Sequence, residues 1–131
     1  MRVVFDTNVL VAAVVFPGGA GEAALMRVLA GADRLVLSKA IIDELLEVLA
    51  RKFARDAEAL SHVAVFFSEI GELVVPRRRL RVVEVEPDNR ILECALAGRA
   101  DAIVTGDKGL LALGRFREVQ LITLRSYLEM K

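Results

Sequence analysis

Four acidic residues carry most of the chemical interest in this chain. Asp6 ends the apolar run Val3-Val4-Phe5, and Asp107 follows Ala102-Ile103-Val104-Thr105-Gly106. Asp88 comes directly after Pro87 at the head of a helical stretch, and Glu44 lies inside another. Taken singly, each aspartate has an ordinary use as a helix cap. Helix phase adds a second argument. At about 100° per residue, Leu92, Ala95 and Leu96 define an apolar face, and Asp88 projects into the middle of that arc. An acid aimed at the core requires a partner, because an unpaired buried carboxylate is expensive. Glu44 falls at the edge of its helix's polar face, one turn from Ile41 and Val48. Its bland alternative is an exposed glutamate folded over apolar neighbours. Asp43 and Glu47 occupy the centre of that polar face and read as solvated.

Carboxylates that converge in one crevice repel each other and cannot all remain ionised without a cation. Hard oxygen donors of this kind suit Mg²⁺ or Mn²⁺. No histidine stands beside any of the four acids, so a general base would be water activated by the ion. Such a water can attack a phosphodiester while the ion stabilises charge on the phosphoryl oxygens. Asn8 and Thr105 are neutral groups able to orient the water or the phosphate, although capping and turn formation explain them equally well.

The elements that must position these residues alternate along the chain. Val3–Phe5, Leu35–Leu37, Leu73–Val75, Ala102–Val104 and Val119–Ile122 read as strands. Helices are expected from Val9 to Phe16, Gly21 to Ala30, Ser38 to about Lys52, Arg55 to Ile70 and Asp88 or Asn89 to about Ala97. A short helix from Lys108 to Leu113 and a terminal one capped by Thr123 complete the set. Residues 76–87 read as a loop or an edge strand. Such alternation predicts an α/β fold, with a central, mainly parallel sheet between helical layers. In sheets of this type the active crevice lies beyond the carboxyl ends of the strands, where Asp6 and Asp107 are found.

The motifs Val-Val-Phe-Asp6-Thr7-Asn8, Glu44 within its helix, Asp88-Asn89 ahead of Leu-Glu-Cys-Ala, and Val-Thr105-Gly106-Asp107 together resemble a PIN domain. Within that family the likeness is to the VapC-like toxin components of toxin–antitoxin pairs, and it spans nearly the whole chain in order and spacing. The resemblance implies a three-layer α/β/α sandwich, residues 1–131 as one nuclease domain, and a magnesium- or manganese-dependent ribonuclease. By position, Asp6, Glu44, Asp88 and Asp107 would surround the metal, with Asn8 and Thr105 as polar helpers. Glu86, Asp88 and Glu93 compete for the third acidic place. Asp88 alone combines a helix start with the core-facing phase, which leaves Glu93 a supporting role. The resemblance also implies an RNA substrate, a cognate antitoxin that fills the groove, and a homodimer.

Composition narrows the field around this reading. In 131 residues, 18 basic and 18 acidic side chains give a net charge of +0, so global charge does not mark a nucleic-acid binder. One histidine rules out a poly-histidine zinc site, and one cysteine rules out an internal disulfide. That cysteine usage suits a reducing cytoplasm. The longest apolar stretch, Val9 to Pro17, falls well short of the roughly 20 residues a spanning helix needs. Asp6 and Asn8 also interrupt any signal-peptide core, so no membrane association is expected. His62 reads as a packing or surface residue and Cys94 as an inert core thiol. Arg77-Arg78-Arg79 with Arg81 reads as a solvated basic loop, since no aromatic residues interleave to stack bases. Phe66-Phe67 and Leu45-Leu46 read as core, with a dimer seam as the other use.

Two further functions compete with the nuclease. One is a non-catalytic RNA- or partner-binding module on the same fold, against which four intact acids argue. The other is a phosphatase or phosphotransferase using Asp6 as nucleophile. That chemistry usually wants a second aspartate two residues on, where Asn8 stands.

Overall fold

A computed structural model describes all of residues 1–131. Its centre is a six-stranded sheet in the order β3-β2-β1-β4-β6-β5, made of β1 (Arg2–Phe5), β2 (Arg34–Leu37), β3 (Glu72–Leu73), β4 (Ala102–Val104), β5 (Arg115–Phe116) and β6 (Val119–Ile122). Every pairing is parallel except β5 with β6. Val3, Val4 and Phe5 are wholly buried, as are Leu35, Val36 and Leu37. Continuous apolar runs of this sort belong to strands covered on both faces.

The helices are α1 (Thr7–Val15), α2 (Ala20–Leu29), α3 (Lys39–Phe53), α4 (Ala57–Ile70), α5 (Glu86–Ala97), α6 (Lys108–Leu111) and α7 (Leu124–Glu129). From β1 the chain steps outward through β2 to β3, then returns to place β4 on the other side of β1. Right-handed crossovers therefore put α1 to α4 on one face and α5 on the opposite one. The reversal makes β1 and β4 the switch point of the sheet. α1 and α2 pack unusually closely: a Cβ added at Gly21 would lie 2.7 Å from the Ala13 backbone nitrogen. No single helix is long and apolar enough to cross a membrane.

Four local expectations need correction. β3 holds only Glu72 and Leu73; Val74 still donates its amide to the Leu37 carbonyl, but Val75 leaves the sheet. Pro76 lacks an amide donor, so the ladder ends before it. Residues 76–85 form a loop and not an edge strand. α5 begins at Glu86 with Pro87 in its first turn, so neither Asp88 nor Asn89 is its cap. α6 stops at Leu111, and the chain then makes a two-residue hairpin strand, β5, which is too short to show periodicity.

Candidate active site

Asp6 leaves β1 and caps α1, its Oδ1 accepting the Val9 amide at 3.0 Å. Asp107 caps α6 in the same way, with Oδ2 accepting the Leu110 amide at 2.8 Å. Both caps sit at carboxyl ends of adjacent strands, so two helix starts hold two acids side by side. Thr105 joins them. Its buried hydroxyl donates to Asp6 Oδ2 and accepts the Asp107 amide at 3.0 Å. Glu44, from the second turn of α3, accepts a hydrogen bond from the Thr7 hydroxyl at 3.0 Å. Asp88 arrives from the first turn of α5 on the other side of the sheet.

Asp6, Thr7, Asn8, Glu44, Asp88, Ile91 and Asp107 line one cavity of about 50 Å³. That is room for one or two water-sized groups. The four acids named from sequence thus share a pocket at the switch point, with Asn8 exposed at its edge and Thr105 buried behind it. Glu93 does not line it. Its carboxylate accepts the Leu80 amide at 2.7 Å and pairs with Arg90 at 3.0 Å, so it holds the 76–85 loop instead of supporting the pocket. Glu86 is turned toward Asn89 and Arg90 and also lies outside.

The acids feel one another. Burial pushes the Asp88 carboxyl up to about 6, and the charges of Asp107, Asp6 and Glu44 push the same way. Burial likewise raises Asp6, against the hydrogen bonds from Thr105, Val9 and Asn8, and Asp107 adds to the rise. The donor set is wholly carboxylate, amide and hydroxyl oxygen, which is the chemistry that hard divalent cations take. Each ionised carboxylate oxygen that already accepts one hydrogen bond retains a further lone pair. No three His, Cys, Asp or Glu side chains stand as a finished ligand set, so the carboxylates must draw inward to grip an ion. In donor type and cavity size the residues fit such an ion.

Sequence reasoning missed Thr7, whose contact with Glu44 is purely tertiary. It also misread Asn89. That side chain is fully buried; Oδ1 accepts the Val82 and Val83 amides at 2.8 and 3.0 Å, and Nδ2 donates to the Val83 carbonyl at 2.9 Å. A loop with no ladder of its own must find partners for its backbone, and an Asn on the inner face of the following helix was the available signal. His62 is exposed, and Cys94 is buried with its thiol pushed up to about 12 by that burial.

A family model described as PIN domain matches residues 2–109. An uncharacterised protein of Methanocaldococcus jannaschii is 27% identical over 117 residues, covering 86% of this chain and 75% of that one. Among solved structures, VapBC2 from Rickettsia felis, bound to a DNA fragment from their promoter, superimposes with a TM-score of 0.68 at 18% identity. The match covers 94% of this chain and 98% of that chain. VapBC-1 from nontypeable Haemophilus influenzae gives 0.66, also at 18% identity, over 95% and 99%. These structures share the fold.

Proposed function

The chain belongs to the PIN domain family, and on that premise we propose that it is a divalent-metal-dependent endoribonuclease, the toxin of a toxin–antitoxin pair. The observation that carries this reading is the gathering of Asp6, Glu44, Asp88 and Asp107 in one small cavity at the switch point of the sheet. An array of this kind weakens its own ionisation, and although Asp6 and Asp107 also cap helices, capping does not call for four acids in one cavity. Mg²⁺ or Mn²⁺ bound by the four carboxylates would supply Lewis-acid polarisation of a phosphodiester and a competent water nucleophile at neutral pH.

The chain's own residues divide the remaining work. Thr105 fixes Asp6 and Asp107 relative to each other through one hydroxyl, and Thr7 fixes Glu44. Asn8, at the pocket edge, presents an amide able to donate to a phosphate oxygen or a water. Burial and the neighbouring carboxylates push the Asp88 carboxyl up to about 6, so it gains most from a cation that offsets their charge. An antitoxin partner is supported by the shared fold with VapBC complexes, and the RNA substrate and homodimer belong to the same proposal.

The test is cleavage of single-stranded RNA, and of structured transfer and ribosomal RNA, with and without a divalent cation. The wild type should cut only with the cation. Asp107→Asn should lose on the order of a hundredfold or more in rate, as expected for several kcal/mol of lost transition-state stabilisation. Cleavage that persists in EDTA, or full activity in Asp107→Asn, refutes the assignment. If no RNA is cut and metal titration leaves the protein unchanged, the non-catalytic binding module takes its place.

A further inference from the structure

Four arginines from three separate segments converge around one groove. Arg77 and Arg78 come from the loop after β3, Arg99 from the turn after α5, and Arg117 from the β5–β6 turn; with Leu80 and Leu96 they line a cavity of about 400 Å³. A second cavity of about 640 Å³ shares Leu96, Arg99 and Arg117 and extends the groove toward β6, where Asp101 and Glu118 also line it. All four arginines are exposed, and none forms an ion pair, while Arg2, Arg27, Arg34, Arg51, Arg90 and Arg125 each have a carboxylate. The acid that reaches the first cavity, Glu93, is occupied by Arg90 and the Leu80 amide. The chain's net charge is +0, so this cluster of unpaired arginines is a local feature and not a global one.

Backbone conformation singles out two of the four. Arg99 has φ 51° and Arg117 has φ 54°, in the left-handed region that glycine prefers and long side chains rarely adopt. Both turns would form more easily with glycine, yet both carry a guanidinium aimed at the same groove. Ala54 adopts the same conformation at the end of α3, so the left-handed backbone marks a chain turn, and the case for the two arginines rests on where their side chains converge. Arg117 is further held over the Phe116 ring at 5.3 Å.

The groove lies toward the amino ends of β4 and β6, and the 76–85 loop runs from it toward the acidic pocket at the carboxyl ends. Leu80 bonds to Glu93, and Val82 and Val83 bond to Asn89, so the loop runs antiparallel along α5. Its arginine end lies at the helix C-terminus, and Asp88 lies in the first turn. Along α5, Asp88 and the C-terminal Ala97 are separated by about 14 Å. Exposed Arg79 and Arg81 fall on the stretch of loop between them. We propose that the groove formed by Arg77, Arg78, Arg99 and Arg117 is a phosphate-binding exosite that holds single-stranded RNA outside the acidic pocket. This rests on the nuclease reading. A pocket of four carboxylates offers a polyanion little attraction beyond the cation it would hold, so a separate positive surface would strengthen substrate capture. An RNA strand carries a phosphate at every residue and can follow the basic loop along the whole of α5. Arg planes and the Leu80–Leu96 floor also suit unstacked bases, which answers the absence of interleaved aromatic residues.

The experiment is anisotropy of a labelled single-stranded RNA bound to the full chain in EDTA, titrated with salt from about 50 to about 200 mM. The double variant Arg99→Gly/Arg117→Gly should bind about tenfold more weakly, and its salt slope should fall by about 1.4, for two phosphates at about 0.7 each. Its melting temperature should hold or rise, because glycine relieves both left-handed turns. Arg77→Gln/Arg78→Gln should weaken binding in the same way without touching those turns, and Arg55→Gln, outside the groove, should leave it unchanged. Unaltered affinity and slope in both double variants overturn the proposal. So does tighter binding of labelled polyglutamate than of RNA, which would mark an acidic peptide site. Wild-type RNA cleavage with binding indifferent to these arginines refutes the exosite and leaves the nuclease. Arginine-dependent binding without cleavage refutes the nuclease and leaves the exosite.

Discussion

Replacing Asp88 with Asn should stabilise the protein at neutral pH and do nothing for it in acid. The half-buried carboxyl of Asp88 is raised from 3.8 to about 6, chiefly by burial and then by Asp107, Asp6 and Glu44. The folded chain therefore binds this proton more tightly than the unfolded chain. Stability from it is complete below the unfolded value and is lost as pH rises through about 6. At about 1.36 kcal/mol for each pH unit, the full difference would be about 3 kcal/mol, and solvent screening at a half-open site reduces it to about 1–2 kcal/mol. The aspartate also gains about 0.3–1 kcal/mol from the N-terminal dipole of α5, which Asn forfeits. The net expectation is that Asp88→Asn is about 1 kcal/mol more stable than wild type at pH 7.5, with the advantage gone near pH 4. Urea denaturation in EDTA across that range measures it. A variant less stable than wild type at pH 7.5, or a gain that is the same at pH 4, would refute the raised carboxyl of Asp88.

Saturating Mg²⁺ or Mn²⁺ should raise the melting temperature of wild type by several degrees, since a ligand at 100 times its Kd adds about 2.7 kcal/mol. Asp6→Asn should show a smaller rise by differential scanning fluorimetry, and equal shifts in the two proteins would count against this site. Asn89→Ala should cost about 2–3 kcal/mol in chemical denaturation, because it strands two amides and a carbonyl of the 82–83 loop. Hydrogen exchange at the Val82 and Val83 amides should quicken in that variant while Phe5 and Val104 stay protected; uniform loss of protection would place the damage elsewhere.

Much of this architecture is legible in the sequence because its signals are local. Val3-Val4-Phe5 and Leu35-Val36-Leu37 announce buried parallel strands by composition alone. Asp6, Ser38, Asp56 and Thr123 announce helix starts through hydrogen bonds to residues three positions on. The acidic pocket is legible for a related reason. Alternating strands and helices carry the residues after each strand to the same end of the sheet, so sequence position stands in for spatial position. Where bonding is tertiary, that substitution fails. Thr7 donates to Glu44 across 37 positions. Glu93 has a suitable phase for the site, but the backbone needs of Leu80 claim it. The arginine groove is assembled from Arg77, Arg99 and Arg117, residues too far apart for any window to unite. Only the first of its segments is visible in the chain, as a basic run with no evident use.

Asp6 and Asp107 serve two masters, and the choice of substitution decides what any experiment on them can mean. Each caps a helix through one carboxylate oxygen, and each turns the other toward Thr105 or the pocket. Alanine removes the cap and the charge together, costing about 1 kcal/mol of local stability that has nothing to do with chemistry. A loss of activity in Asp107→Ala would follow from a frayed α6 as readily as from a lost ligand. Asparagine caps as well as aspartate does, so Asp107→Asn keeps the Leu110 bond and removes only the negative charge. The same substitution relieves repulsion among the acids, so a variant that is more stable and yet inactive separates the two roles. Stability and activity then move in opposite directions, as expected where like charges are held together for function.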